Sequence, residues 1–333
     1  DINLGEYYTS FGHGPASYLK HSNVFNNVQE IFDKADFLVG NLEAALTTKN
    51  YDPNEPERVV LRGHPKHSEL LKKTGFKVLQ VANNHTVQHG KSGFDETINA
   101  LSNSGIEAVG LNQQELVVLT INGEKIGFLA ASDVPDNTDK QQISYQKLDK
   151  AFIEQIKASV SKVDHLFVML HWGLEASTYP LEYQYELIQD LTNSGVRGII
   201  GSHPHLFYEA WLTEDTVAAP SLGNFIFDLC WDKRLLQTGI LDIEINNNQI
   251  NAQVWPIEIK ENGCLPTPSG SPVKLSPKAK LYELGEDMKG EESRKLKYFF
   301  SHFHLGNFKL KRIFITRKLI APLKSLFFGA KHG

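Results

Sequence analysis

Four short polar stretches stand out in the sequence: Asn41-Leu42-Glu43, Asn83-Asn84-His85, His171-Trp172-Gly173 and Gly201-Ser202-His203-Pro204-His205, with Asp1 ahead of them. Each follows an apolar run of strand-like length. In open α/β sheets the carboxyl ends of the strands share one edge, so residues far apart in sequence converge there. Aspartate, glutamate, asparagine and three or four histidines brought together are the donor set of one or two divalent metal ions such as Mn, Fe, Zn or Mg. Two such ions side by side would turn water into a strong nucleophile at neutral pH and stabilise charge on the attacking and leaving oxygens together. Two carboxylates against two divalent ions would leave a positive surplus for an anionic substrate.

Taken singly, each stretch has a plainer reading. A histidine after a strand is more often a hydrogen-bonded surface or core residue than a ligand, Asn-Asn is common turn chemistry, and Asn-Leu-Glu could open a helix. It is their recurrence at successive strand ends that favours one site. His13, His21, His64, His67, His89, His302 and His304 lack that placement and read as surface residues.

The elements that must position these residues can be read from periodicity. Apolar runs at 37–40, 78–82, 106–110, 166–170 and 198–201 read as strands, and they alternate with helical periods at 24–35, 65–74, 93–104, 146–163 and 181–194. Gly75, Gly105 and Gly195 follow three of those helices at the position that closes a helix. Asn122-Gly123 between 116–121 and 125–130 is a hairpin signal, because a type I′ turn needs positive φ at both positions. A second β-rich region runs from 225 through 240–245 to 252–259. Added hairpins imply mixed or packed sheets and not a purely parallel one. The segment 266–277 holds four prolines among Ser, Thr and Gly and reads as a linker, with a helical, basic extension over 278–333.

Composition sets outer limits. With 333 residues, 41% of them hydrophobic, the chain is long enough for one large domain and an appendage. Cys230 and Cys264 form no CxxC pair, which argues against a disulfide framework or a zinc-thiolate site. The net charge of −5 hides an asymmetry: residues 294–333 carry ten Lys or Arg and no acid, so 1–293 hold 24 bases against 39 acids, a balance of −15. An acidic body of this kind does not fit a nucleic-acid enzyme. No signal peptide or apolar run near eighteen residues stands in the sequence as given. Asp1 to Gly5 read as the loop after a strand, which points to a segment upstream.

The stretches DINLG at Asp1, VGNLEAALT at Val39, LRGHP at Leu61, the long run from Val81 to Gly110, HWGLE at His171, the run from Tyr179 to His205 and SLGNFIFD at Ser221 carry a resemblance. In order and spacing, over roughly residues 1–260, the chain resembles the poly-γ-glutamate capsule-synthesis proteins of the CapA type, a branch of the calcineurin-like metallophosphatase superfamily. The resemblance implies a four-layer αββα sandwich with mixed sheets over 1–265. It also implies that Asp1, Glu43 and His205 hold a first metal ion and that Glu43, Asn84, His171 and His203 hold a second, with Glu43 as the bridge. His85 would then give a proton to the leaving group, and Arg62 would contact an anion, although Arg-Gly-His-Pro stands here in place of Arg-x-Pro-Pro. Glu175 would orient His171 through its second ring nitrogen. Asn3 stands where phosphatases of the superfamily carry the histidine of Asp-x-His, so the first ion would lose an imidazole.

Two functions follow as expectations. One is a metal-dependent hydrolase acting on a phosphoester or polyanionic substrate in capsule or exopolymer assembly; the other is a non-catalytic assembly factor that holds the polymer. The family places such a protein at the membrane or cell surface, while the absence of a signal in the sequence as given leaves the cytoplasm open. From 310 to 328 apolar residues interleave with Lys311, Arg312, Arg317, Lys318 and Lys324 around Pro322. That is the composition of a basic amphipathic helix, kinked at the proline, which either docks on the domain or meets an anionic membrane surface or a capsule-synthesis complex.

Overall fold

The computed structural model describes residues 1–135, 144–246, 248–275, 278–286, 288 and 290–328. Two β layers lie face to face between two helical layers. One layer is a seven-stranded sheet in the order Lys278–Ala279, Ala210–Leu212, Val217–Ala219, Gly198–Ser202, His165–His171, Glu124–Ser132 and Val117–Ile121. Its four central strands, Val217–Ala219 through Glu124–Ser132, run parallel. The hairpin closes the edge as expected, with φ of 51° at Asn122 and 91° at Gly123. The facing layer combines a parallel sheet of Leu38–Asn41, Phe76–Gln80 and Glu107–Val109 with an antiparallel sheet of Gln237–Asn246, Gln249–Lys260 and Leu265–Pro268.

The interior follows from strand alternation. Val78 and Val109 meet Phe128, Phe167 and Met169 between the layers, and Ala210, Val217 and Ala219 meet Ile250, Ala252 and Val254 further along. Outside the large sheet, Phe152 and Ile156 of the helix Lys150–Ser159 and Ile188 and Leu191 of Glu182–Asn193 cover Leu129, Leu166, Val168 and Leu170. Outside the other layer, Leu71, Phe94 and Leu101 from the helices His67–Thr74 and Gly90–Asn103 pack in the cluster that holds Leu79 and Val81. Continuous apolar strands are what burial on both faces demands. The result is the αββα sandwich.

Three stretches differ from their sequence reading. The expected helix 24–35 is only a 3-10 turn, Asn26–Val28, and a single turn, Gln29–Phe32. Asn23 Oδ1 accepts the amide of Phe25 at 3.0 Å, the local side-chain bonding that competes with a helix. The helix expected over 146–163 starts at Lys150, where the Asp149 side chain caps the Phe152 amide at 2.9 Å. Within the expected linker 266–277, Pro266 and Pro268 belong to a strand paired with Gln249–Lys260, and Val273–Lys274 pair with it as well. Proline is tolerated there because the strand is at the sheet edge.

The C-terminal helices Glu291–Ser301 and Phe308–Phe328 follow, the second running unbroken through Pro322. Phe314 stacks on Tyr8 at 5.3 Å and meets Phe11 edge-on at 5.7 Å. Lys311 is fully buried and donates to the carbonyls of His302 (2.6 Å) and Leu305 (2.9 Å), and burial pushes its pKa down to about 8. Arg317 pairs with Glu55 at 2.6 Å and Glu57 at 2.8 Å. This half of the tail docks on the domain. Among the described residues no helix is long and apolar enough to cross a membrane.

Candidate metal centre

The polar stretches do converge, but between the strand ends of two facing sheets instead of along one. Asn41 closes a strand of the parallel sheet; His171 and Ser202 close neighbouring strands of the large sheet, where they are partners in register. Asp1 is drawn in by bridges of Ile2 to Leu42 and Ile226: the Ile2 amide donates to Asn41 O and the Glu43 amide to Ile2 O, both at 2.9 Å. Gly201 lets Pro220 and the Trp172 indole pack directly against the strand end, since a Cβ would fall 1.8 Å from Pro220 O and 2.6 Å from the Trp172 indole nitrogen. His203 and His205 then hold positive φ values of 96° and 61°, backbone strain of the sort that collects at functional sites.

Ligand atoms fall into two groups, Asp1 with Glu43 and His205, and Glu43 with His171 and His203; within each, all lie within 4.8 Å of one another. Glu43 belongs to both. Its Oε1 lies 3.8 Å from His205 Nε2, 3.9 Å from His171 Nε2 and 3.8 Å from His85 Nε2. Asn84 Oδ1 stands 3.0 Å from His171 Nε2. Asp1 Oδ2, Glu43 Oε1 and His203 Nδ1 are buried without a hydrogen-bond partner. Unpartnered buried polar atoms are costly, and a cation held by each group would remove that cost, although Asp1 Oδ2 also lies 3.2 Å from His205 Nδ1. The donor set fits divalent metal.

The electrostatics suit ligation by the imidazoles, whereas Glu43 must release a proton to take a cation at neutral pH. Burial pushes the Glu43 carboxyl up to about 8 and the imidazoles down, His203 to about 3, His205 and His85 to about 4, with His171 well below its usual value. Neutral imidazoles at neutral pH are what metal ligation requires.

Ring orientation comes from residues to which the sequence reading gives no role. His171 Nδ1 meets Ser202 Oγ at 3.0 Å, and Ser202 in turn reaches Leu170 O at 3.4 Å. With Nδ1 protonated this relay leaves the Nε2 lone pair facing Asn84 and Glu43. Ser202, where the sequence reading expects Glu175, is the nearest polar partner of the second ring nitrogen of His171. Desolvation raises the Glu175 carboxyl, but the charges of His205, Lys295, His203 and His85 together outweigh it and hold it below the usual range. Asn224 Oδ1 lies 2.9 Å from His205 Nδ1. Asn41 Nδ2 donates to Asp1 Oδ1 (2.9 Å) and Glu43 Oε2 (3.1 Å), fixing both carboxylates, and Asn83 holds Asn41 from behind at 3.0 Å. Ser202, Asn41 and Asn83 lie one or two residues from a ligand, a proximity that could have pointed to them, whereas Asn224 stands 19 residues from His205 and carries no such signal.

Two expected residues have other commitments. Arg62 is buried, and its guanidinium donates to the carbonyls of Arg58 (2.7 Å), Thr47 (3.0 Å) and Lys49 (2.7 Å), with His89 Nδ1 at 2.8 Å. Its donors brace the loop after Glu43. His89 is accordingly a buried residue and not a surface one. Asn3 donates to Asp228 Oδ1 at 3.2 Å and accepts from the Gly5 amide at 2.8 Å, so its side chain is taken up away from the ligand groups.

Residues 1–229 match the family described as bacterial capsule synthesis protein PGA_cap, a stretch that contains every candidate ligand. The chain belongs to that family. It is 28% identical over 277 residues to the PGA biosynthesis protein CapA of Bacillus subtilis (strain 168), covering 80% of this chain and 72% of that one. To the capsule biosynthesis protein CapA of Bacillus anthracis it is 28% identical over 266 residues, covering 74% of this chain but only 64% of that one, under two thirds of its length. Among solved structures it is similar to a 5'-nucleotidase from Candida albicans, with a TM-score of 0.45 and 11% identity over 95% of this chain and 57% of that one. A hypothetical protein from Thermus thermophilus gives a TM-score of 0.40 and 11% identity over 81% and 95%. Likenesses at that level carry nothing about activity.

Proposed function

We propose that this capsule-synthesis family member is a metal-dependent hydrolase acting on a phosphoester or another anionic substrate during exopolymer assembly. The observation that supports this best is the gathering of Asp1, Glu43 and His205, and of Glu43, His171 and His203, into two groups that share Glu43, whose Oε1 has no hydrogen-bond partner, beside a histidine that neither group claims. Asp1, Glu43 and His205 would hold one ion, and Glu43, Asn84, His171 and His203 another. When bound there, divalent metal supplies Lewis acidity and positive charge facing an anionic substrate.

The protein's own part centres on His85. Its side chain is 20% exposed at the rim, and its Nδ1 lies 3.0 Å from Gln88 Oε1. A protonated Nδ1 donating to Gln88 turns Nε2 toward the site, where it accepts from Asn84 Nδ2 at 3.3 Å. Burial keeps this imidazole neutral, so the proton it hands to a leaving group arrives with the substrate or from water. The commitment of Asn3 to Asp228 favours a second reading, in which the first ion is weakly held and the pocket binds polymer without turnover.

His85→Ala separates the two. Metal content should stay near wild type while turnover of an aryl phosphate with added Mn²⁺ falls by about 10² to 10⁴, the range for a lost general acid. Equal turnover by variant and wild type on a poor leaving group would remove His85 from the chemistry. A metal-loaded wild type that turns over nothing would support the polymer-binding reading.

A further inference from the structure

Outside the metal centre and beyond residue 229, the structure holds an open cleft of about 780 Å³ whose walls include Trp231, Asp232, Lys233, Arg234, Tyr282 and Arg294. Its charges do not balance. Asp232 accepts from Arg234 Nε at 3.0 Å and Nη2 at 2.8 Å, and Arg234 Nη1 is spent on the carbonyls of Leu284 (2.6 Å) and Glu286 (3.0 Å). The same Asp232 stands 3.6 Å from Arg294 Nε, beyond hydrogen-bonding length, so one carboxylate serves two guanidinium groups. Glu283, the other acid on the cleft wall, pairs with Lys280 at 2.8 Å.

The unsatisfied atoms are all donors. Among the described residues, Arg294 Nε and Nη2 have no hydrogen-bond partner, and neither has the indole nitrogen of Trp231, a side chain only 6% exposed. Nε and Nη2 form one edge of the guanidinium, whose spacing matches the two oxygens of a carboxylate. Arg294 and Lys295 also stand over the Trp231 ring, at 6.0 and 5.1 Å, and because Lys295 is paired with Glu291 and Glu292, Arg294 is left as the under-neutralised cation of that wall. The Arg294 side chain is 35% exposed while its Nε and Nη2 are buried, so the side chain has to turn for that edge to meet a ligand in the cleft.

We propose that this cleft is a carboxylate-binding subsite, which takes one acidic group of an extended polyanion whose reacting end lies at the metal centre. The two places are joined by packing. Trp231 shares an apolar cluster with Ala176, Leu206 and Phe227, and the Phe227 ring lies 4.9 Å from His205. The link to the metal centre rests on the hydrolase reading, whereas the carboxylate site itself does not.

Isothermal titration of the full chain with glutarate, with a short glutamate oligomer and with inorganic phosphate tests this, comparing wild type with Arg294→Gln and Trp231→Phe. The oligomer and glutarate should bind wild type, about tenfold more weakly to Arg294→Gln and a few-fold more weakly to Trp231→Phe, as expected for loss of charged and neutral donors. Should Arg294→Gln fail to fold by circular dichroism, Trp231→Phe decides alone. Affinities within twofold of wild type in the folded variants, or no binding to wild type, would overturn the subsite. Phosphate binding tighter than glutarate, and lost in Arg294→Gln, would overturn the carboxylate in favour of a phosphate site. Turnover does not enter these titrations, so their failure is distinct from that of the hydrolase reading.

Discussion

Glu43→Gln should stabilise the metal-free protein, and increasingly so as pH rises. The carboxyl is fully buried, and burial raises its pKa from 4.5 to about 8. Below pH 4.5 it is protonated in both the folded and unfolded chains and contributes no difference. Between 4.5 and 8 the unfolded chain ionises first, so folding must retain a proton that the unfolded state releases, and stability falls with pH by about 1.4 kcal/mol per pH unit. By pH 7 the accumulated cost is about 3 kcal/mol, and it levels off near 5 kcal/mol above pH 8. Glutamine has the same shape and no such cost. Urea unfolding in EDTA at pH 5 and pH 7.5 should therefore find wild type and variant nearly equal at the lower pH and the variant more stable at the higher. Added Mn²⁺ should reverse the order, because only wild type gains the metal. A variant less stable than wild type in EDTA at both pH values, or a gap that does not grow with pH, would refute the picture of Glu43 as a buried carboxylate awaiting a cation.

Ser202→Ala should lower Mn²⁺ affinity by roughly 10- to 100-fold through loss of the partner that aims His171, while Glu175→Gln changes it little; competition titration with a chelator measures both, and the opposite ranking would restore Glu175 as the orienting group. If the tail meets anionic membrane, the full chain should sediment with anionic vesicles at low salt, and Arg312→Glu with Lys318→Glu should cut that binding by well over tenfold at about 1 kcal/mol per charge removed. Both positions are exposed on the docked helix, so the fold should survive the change. Wild type that stays in the supernatant would leave the tail as a packing element only.

Much of the site was legible because its ligands punctuate apolar strands. The runs before His171 and His203 are buried almost throughout, and a polar residue at such an end has little to do but face its neighbours. What stayed hidden depends on register and on which sheet a strand joins. Ser202 meets His171 because the two are partners across a parallel pair, a fact that no local pattern encodes. The commitments of Arg62 arise from a loop folded back on it, so that carbonyls at 47, 49 and 58 converge on one guanidinium. Lys311 is buried because the turn between the last two helices presents two carbonyls to it, whereas composition alone assigns a lysine to solvent. The strands around Pro266 and Pro268 escaped notice because proline-rich edge strands and linkers share a composition.

The most direct measurement is the number of divalent ions retained per chain after saturation with Mn²⁺ and desalting, determined by elemental analysis for wild type and Glu43→Gln side by side. Wild type should retain at least one ion and Glu43→Gln essentially none, since both groups of ligands share that carboxylate. Equal retention by the two proteins, or none by wild type, would contradict a metal centre built around Glu43.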